Sequence, residues 1–115
     1  MNVSIHQPNF FPWLGFFDKL NKCDKFVFLT SSIRSKNDKY LTRCSILSNS
    51  KSIYISIPLG SKQIPINKLL MPKNNYWKIK ALNIIHNSYH SALFYDEVAP
   101  DVRNLLMYEC EYFSD

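Results

Sequence analysis

The chain has 115 residues, 46% of them hydrophobic and 15% aromatic, which is the composition of one small globular domain and excludes a disordered tract. Its net charge of +5 favours anionic partners. The basic residues form no dense run, which excludes a dedicated, sequence-specific nucleic-acid binder.

Asn2 to Ile5 reads as a short strand. It leads into a stiff loop in which Pro8 and Pro12 fix their own φ and turn Gln7 and Phe11 away from helix. Leu14, Phe17, Leu20 and Asn21 then recur at helical spacing, with Pro12 just ahead of the first turn. Lys25 to Thr30 is almost continuously apolar and β-favouring, as expected of a strand buried on both faces. Strand, helix and strand at these short separations predict a βαβ unit with a parallel pair. Ligands in such units sit beyond the carboxyl ends of the strands, here His6-Gln7 and Thr30-Ser31-Ser32.

Ser31 to Lys39 is polar and charged and predicts a surface loop. Tyr40–Leu47 and Ser52–Leu59 alternate as strands around the turn Ser48–Lys51 and predict a hairpin, with Arg43 off its core face. Gly60 to Pro72 is a connector in which Ile64, Ile66 and Leu69 suggest a short added strand. Asn74 or Asn75 caps a helix over Tyr76–Ser91, where Trp77, Ala81, Ile84, Ile85 and Tyr89 share a face and Lys78 and Lys80 point outward. A final helix runs from about Pro100 to Tyr112. The fold class expected is therefore α/β: an N-terminal βαβ with parallel strands, a β-hairpin and C-terminal helices, in a single domain over residues 1–115.

Cys23, Cys44 and Cys110 are odd in number, widely spaced and without a Cys-x-x-Cys pair, so free thiols in a reducing cytoplasm are expected. His86 and His90 stand i, i+4, but no Glu follows His86 as in a zinc-protease helix, and no metal site is expected. Met1 precedes a polar start without a signal-peptide pattern, and no run approaches the ~18 apolar residues of a membrane span, so a cytoplasmic location is expected.

The first loop gathers the residues that carry chemistry. His6 at a strand tip suits general acid or base work, because imidazole exchanges protons near neutral pH. Gln7 and Asn9 can fix hydroxyl or amide groups of a ligand, or close the turn on their own backbone. Trp13 either stacks on a sugar face or fills the core. Lys19, Lys36 and Arg43 can clamp a phosphate or carboxylate, with solvated surface cations as the alternative. Cys23 has only Lys22 and Lys25 to activate it and is a weak nucleophile candidate.

The run Ile5-His6-Gln7-Pro8-Asn9-Phe10-Phe11-Pro12-Trp13-Leu14-Gly15-Phe16-Phe17-Asp18-Lys19, followed by Asp24-Lys25-Phe26-Val27-Phe28-Leu29, resembles the opening of the WbqC-like family. Two prolines, a tryptophan and a glycine at fixed spacing make this opening specific. The resemblance extends through the later helix with Trp77 and Tyr89, and corresponds to about the N-terminal half of a typical member, so a domain incomplete at its C-terminus is expected. The departures are local. Thr30 and Ser31 stand where the family has paired aspartates, and Tyr40 stands for its tryptophan. Of its "NRNR" run only Arg43 is kept.

The resemblance implies a cytoplasmic role in bacterial surface polysaccharide (O-antigen) synthesis. The expected activity is transfer of glycine or another aminoacyl group to a sugar, with an anionic or sugar-linked small molecule as partner. Tyr40 joins the substrate-binding set on the same ground. Loss of the two aspartates leaves a second reading open, a non-catalytic remnant that keeps only the ligand-binding loop. A fainter likeness to nucleotidyltransferase-type domains is weakened by Phe16, which occupies the place of their phosphate-holding histidine.

Overall fold

Short strands punctuated by proline and asparagine cannot build one wide sheet, and the chain forms two small ones. The computed structural model describes residues 1–115. Strand β1 (Val3–His6), helix α1 (Leu14–Asn21) and strand β2 (Lys25–Phe28) come first. A hairpin of β3 (Arg43–Ser48) and β4 (Lys51–Ser56) follows, then a single 3-10 turn (Ile66–Lys68) and helices α2 (Tyr76–Tyr89) and α3 (Tyr95–Met107).

β1 and β2 pair in parallel, with Val3 opposite Lys25 and His6 opposite Phe28, as a βαβ unit requires. The α/β class and the parallel pair are as the sequence predicts. Burial of β2 on both faces is not. Phe26 and, more loosely, Phe28 pack toward Phe16 of α1, whereas Val27 on the opposite face is exposed. The helix packs on the face of Phe26 through Phe16, while Val3, Ile5 and Val27 on the other face are all exposed.

β3 and β4 pair antiparallel through a two-residue turn in which Asn49 and Ser50 both have positive φ. That backbone matches the right-handed twist of the flanking strands. The predicted strand from Tyr40 begins only at Arg43, because the Asp38 carboxylate draws the amides of Tyr40 and Leu41 into a turn at 3.0 and 2.9 Å. Arg43 lies off the core face, and Cys44, Ile46, Ile53 and Ile55 line the inner one.

The short strand expected around Ile64–Leu69 is instead the 3-10 turn flanked by single bridges, Ile33 to Pro65 and Leu70 to Tyr112. Pro65 lacks the N–H needed to extend a ladder. The last helix starts at Tyr95 rather than Pro100 and ends at Met107 rather than Tyr112. Asp96 and Glu97 occupy its first turn, where they complement the helix dipole, and Pro100 sits inside it.

Two core clusters hold these pieces together. Ile55, Ile57, Trp77, Ala81 and Leu106 join the hairpin to the two long helices. Leu41, Ile66 and Leu69 form the second, with Leu59, Ile64 and Phe113 packed around it. Lys78 does not face outward. It is buried, and its Nζ donates to the Tyr108 carbonyl at 2.8 Å. The chain after α3 folds back over this face: Phe113 N donates to the Leu69 carbonyl and Met71 N to the Glu111 carbonyl, both at 2.9 Å. A lysine placed on the polar side of an isolated helix thereby becomes a clasp for the C-terminal segment.

Candidate functional site

Both strand tips turn toward one another. Leu29 N donates to the His6 carbonyl at 2.8 Å, and Gln7 Nε2 donates to Ser32 Oγ at 2.8 Å. The loop between β1 and α1 is fastened below by Phe10 N, which donates to the Leu41 carbonyl at 3.0 Å. Within it Phe11 has φ +46°, a left-handed conformation that a side chain with a Cβ adopts only under strain. The strain turns the Phe11 ring into the junction of three recesses, all of which it lines. At most positions glycine is less stable than alanine; here the order reverses. Phe11→Gly is expected to unfold at higher urea than Phe11→Ala, by about 1 kcal/mol, since only alanine keeps the left-handed penalty.

Gly15 shapes the other side of the loop. A Cβ there would fall inside the indole ring of Trp13, so the missing side chain lets the indole lie across the start of α1. Trp13 is 62% exposed, which removes the core alternative and leaves its face open to a ligand.

A recess of about 300 Å³ brings Asn9, Trp13, Tyr40 and Arg43 together with Phe11 and Cys44. Arg43 also borders a second, polar recess of about 460 Å³, shared with Arg34, Lys36 and Lys39. Its guanidinium carbon lies 4.8 Å above the centre of the Tyr54 ring, and its Nε donates to the Lys39 carbonyl at 3.3 Å. The one ion pair in the molecule, Lys22 with Asp18, is elsewhere, so no carboxylate neutralises these cations. Asp38 lines the polar recess but is engaged with the amides of Tyr40 and Leu41. Four cations thus line one polar hollow, an arrangement whose charge is complementary to a phosphate or carboxylate group.

Five of the eight candidate residues thus meet around Arg43: Asn9, Trp13 and Tyr40 on one side, Lys36 on the other. The remaining three are placed apart from both recesses. His6 Nδ1 lies 2.7 Å from the Gln7 carbonyl, and the ring packs edge-on to Phe16 with centroids 5.1 Å apart. A carbonyl only accepts, so Nδ1 carries the proton and Nε2 keeps its lone pair in the neutral ring. Gln7 reaches Ser32, and Lys19 Nζ donates to the Ile5 carbonyl at 2.7 Å. These three contacts tie the β1 tip to α1 and to the loop after β2, and so hold the loop that carries Asn9 and Trp13.

Arg34 and Lys39 were not singled out in the sequence, although their charge spacing around Lys36 carried the signal. Cys44 is, in the sequence, only one of three unpaired cysteines. It lies at the boundary of the 300 Å³ recess, and burial pushes its pKa up, so it stays a protonated, weakly nucleophilic thiol at neutral pH. Cys23 Sγ donates to the Leu20 carbonyl at 3.3 Å, away from the cations. No group of three His, Cys, Asp or Glu side chains is positioned to hold a metal ion, and no helix is long and apolar enough to cross a membrane.

Among known proteins, the family model described as "WbqC-like protein family" matches residues 7–115. No curated protein and no solved structure matches the chain. The match takes in the proline loop, both recesses and all three helices. The chain belongs to the WbqC-like protein family.

Proposed function

We propose that this protein is a transferase of bacterial surface polysaccharide (O-antigen) biosynthesis that passes glycine or another aminoacyl group to a sugar. The observation that carries the reading is the grouping of Asn9, Trp13 and Tyr40 against Arg43, with Lys36 beyond it. An exposed indole and a phenol offer flat faces to a sugar ring, and an asparagine offers a donor and an acceptor to its hydroxyls. The unpaired cations offer an anionic leaving group or phosphate a fixed seat. In such a transfer a sugar oxygen bonds to the acyl carbon, the leaving group departs with the bonding pair, and the hydroxyl gives up its proton. His6 lies apart from both recesses and steadies the loop through its Nδ1 bond to the Gln7 carbonyl, so in this reading the hydroxyl proton is released to solvent.

The test is the mass of the surface glycan from cells with and without the gene. An aminoacyl substituent that disappears with the gene and returns with the wild-type copy is the expected result. Unchanged glycan mass refutes the reading. Complementation with Arg43→Ala is expected to lower substituent formation by about 10–100-fold at subsaturating substrate, the value of a hydrogen bond to a charged group.

One observation favours a second reading, a binding module without transfer. Thr30 and Ser31 supply no carboxylate beside the loop, and the one carboxylate in the polar recess is held by backbone amides. A glycan of unchanged mass together with retained anion binding that Arg43→Ala abolishes would select it.

A further inference from the structure

Beside the candidate site lies a groove of a different character. It has a volume of about 370 Å³ and is lined throughout by apolar and aromatic side chains, among them Ile46 and Ile55 of the hairpin and Ile85, Val98 and Val102 of the long helices. Leu93 and Phe94 stand exposed at its edge. The groove is not isolated. Phe11 and Cys44 line both it and the 300 Å³ recess of Asn9, Trp13, Tyr40 and Arg43. An apolar channel therefore ends against an aromatic and cationic hollow, and the strained Phe11 stands at the boundary.

We propose that the groove binds the hydrocarbon tail of a single-chain lipid phosphate whose phosphorylated head lies against Arg43. The inference rests on the recess being the seat of the substrate's polar head, as read above, and adds that the ligand entering it carries an apolar chain. Three features favour this occupant. At ~30 Å³ for each water-sized group, about 370 Å³ takes one unbranched chain of roughly a dozen carbons. The groove offers a tail no polar partner other than two tyrosine hydroxyls and the half-buried thiol of Cys44, so it rewards chain length rather than hydrogen bonding. The recess with which it shares Phe11 and Cys44 holds Arg43, a cation in no ion pair, complementary in sign to a phosphate and of no use to a purely apolar ligand.

The experiment is calorimetry on the full chain with butyl phosphate and dodecyl phosphate, the latter kept below its micelle concentration. Dodecyl phosphate is expected to bind roughly a hundredfold tighter, well within what burial of the extra methylenes supplies. Two substitutions at exposed lining positions, Ala92→Trp and Val98→Glu, fill or charge the groove and leave the fold intact. Each is expected to erase the difference between the two phosphates while leaving butyl phosphate binding unchanged. Arg43→Ala is expected to weaken both ligands by the same factor and to keep the chain-length preference.

Equal affinity for the two phosphates overturns the proposal. So does a preference that survives both Ala92→Trp and Val98→Glu, or sedimentation showing a dimer that Val98→Glu dissociates and dodecyl phosphate leaves intact, since a second copy would then occupy the groove. A chain-length preference lost in the groove variants, together with an unchanged glycan mass, supports the lipid site and refutes only the transferase reading.

Discussion

Leu41→Ala is expected to lower the unfolding free energy by about 2–5 kcal/mol, the range for a fully buried aliphatic side chain. Leu41 has no exposed surface, and it packs on Ile66 and Leu69 with Leu59, Ile64 and Phe113 around them. These neighbours belong to a connector and a chain-terminal segment, each held by single bridges rather than ladders. Truncation leaves a cavity that such pieces close only by giving up their own contacts. A domain of this size is stable by about 5–15 kcal/mol in all, so the variant should unfold at markedly lower urea with an unchanged slope. Leu41→Met, which conserves volume, should cost less than about 1.5 kcal/mol. The Leu41 carbonyl also receives the amide of Phe10, so Leu41→Ala should loosen the proline loop as well. A loss below about 1 kcal/mol would show that the smaller cluster contributes little to holding the loop.

Trp77→Ala should cost about 3–5 kcal/mol, and Trp77→Phe far less. The indole lies in the main cluster against Ile55, Ile57, Ala81 and Leu106, with the Phe10 ring edge-on at 6.2 Å between centroids. Its Nε1 is buried and donates to nothing. An unmet buried donor costs about 1–3 kcal/mol, which phenylalanine would recover while losing part of the ring area. The two terms nearly cancel, so Trp77→Phe should lie within about 1–2 kcal/mol of the parent in thermal unfolding corrected to a common temperature. Equal losses for Trp77→Phe and Trp77→Ala would mean that the indole N–H has found a partner.

The fold was legible where one residue type forces one backbone outcome. Pro8 and Pro12 separate β1 from α1, the apolar run after Asp24 gives β2, and Asn49-Ser50 between β-branched runs gives the hairpin. It was illegible where tertiary contacts decide. The apolar run Phe26-Val27-Phe28 looks the same whether one face of its sheet is covered or two, and only the placement of α1 distinguishes them. Lys78 looked like a surface residue because the chain that buries it begins thirty positions later, at Tyr108. Pro100 suggests a helix start, although Asp96 and Glu97 ahead of it carry the better signal for a first turn.

The site divides in the same way. The opening motif pointed to the right loop, and Arg43 was placed on the outward face by strand alternation alone. That Tyr40 and Arg43 share a hollow with Trp13 depends on the pairing of Phe10 with Leu41 across thirty-one residues, which no local pattern encodes. His6 stood out by residue type, yet its nitrogen is engaged by the neighbouring carbonyl and its ring by Phe16.

The two tryptophans occupy opposite environments, Trp13 62% exposed on the loop and Trp77 8% exposed in the main core. The chain therefore carries two natural fluorophores that report on different events. Emission from the first should be red-shifted and quenched by iodide, and a molecule settling in the hollow should shield it. Emission from the second should stay blue and unquenched until the core itself opens, so ligand capture and unfolding can be followed separately in one unlabelled sample.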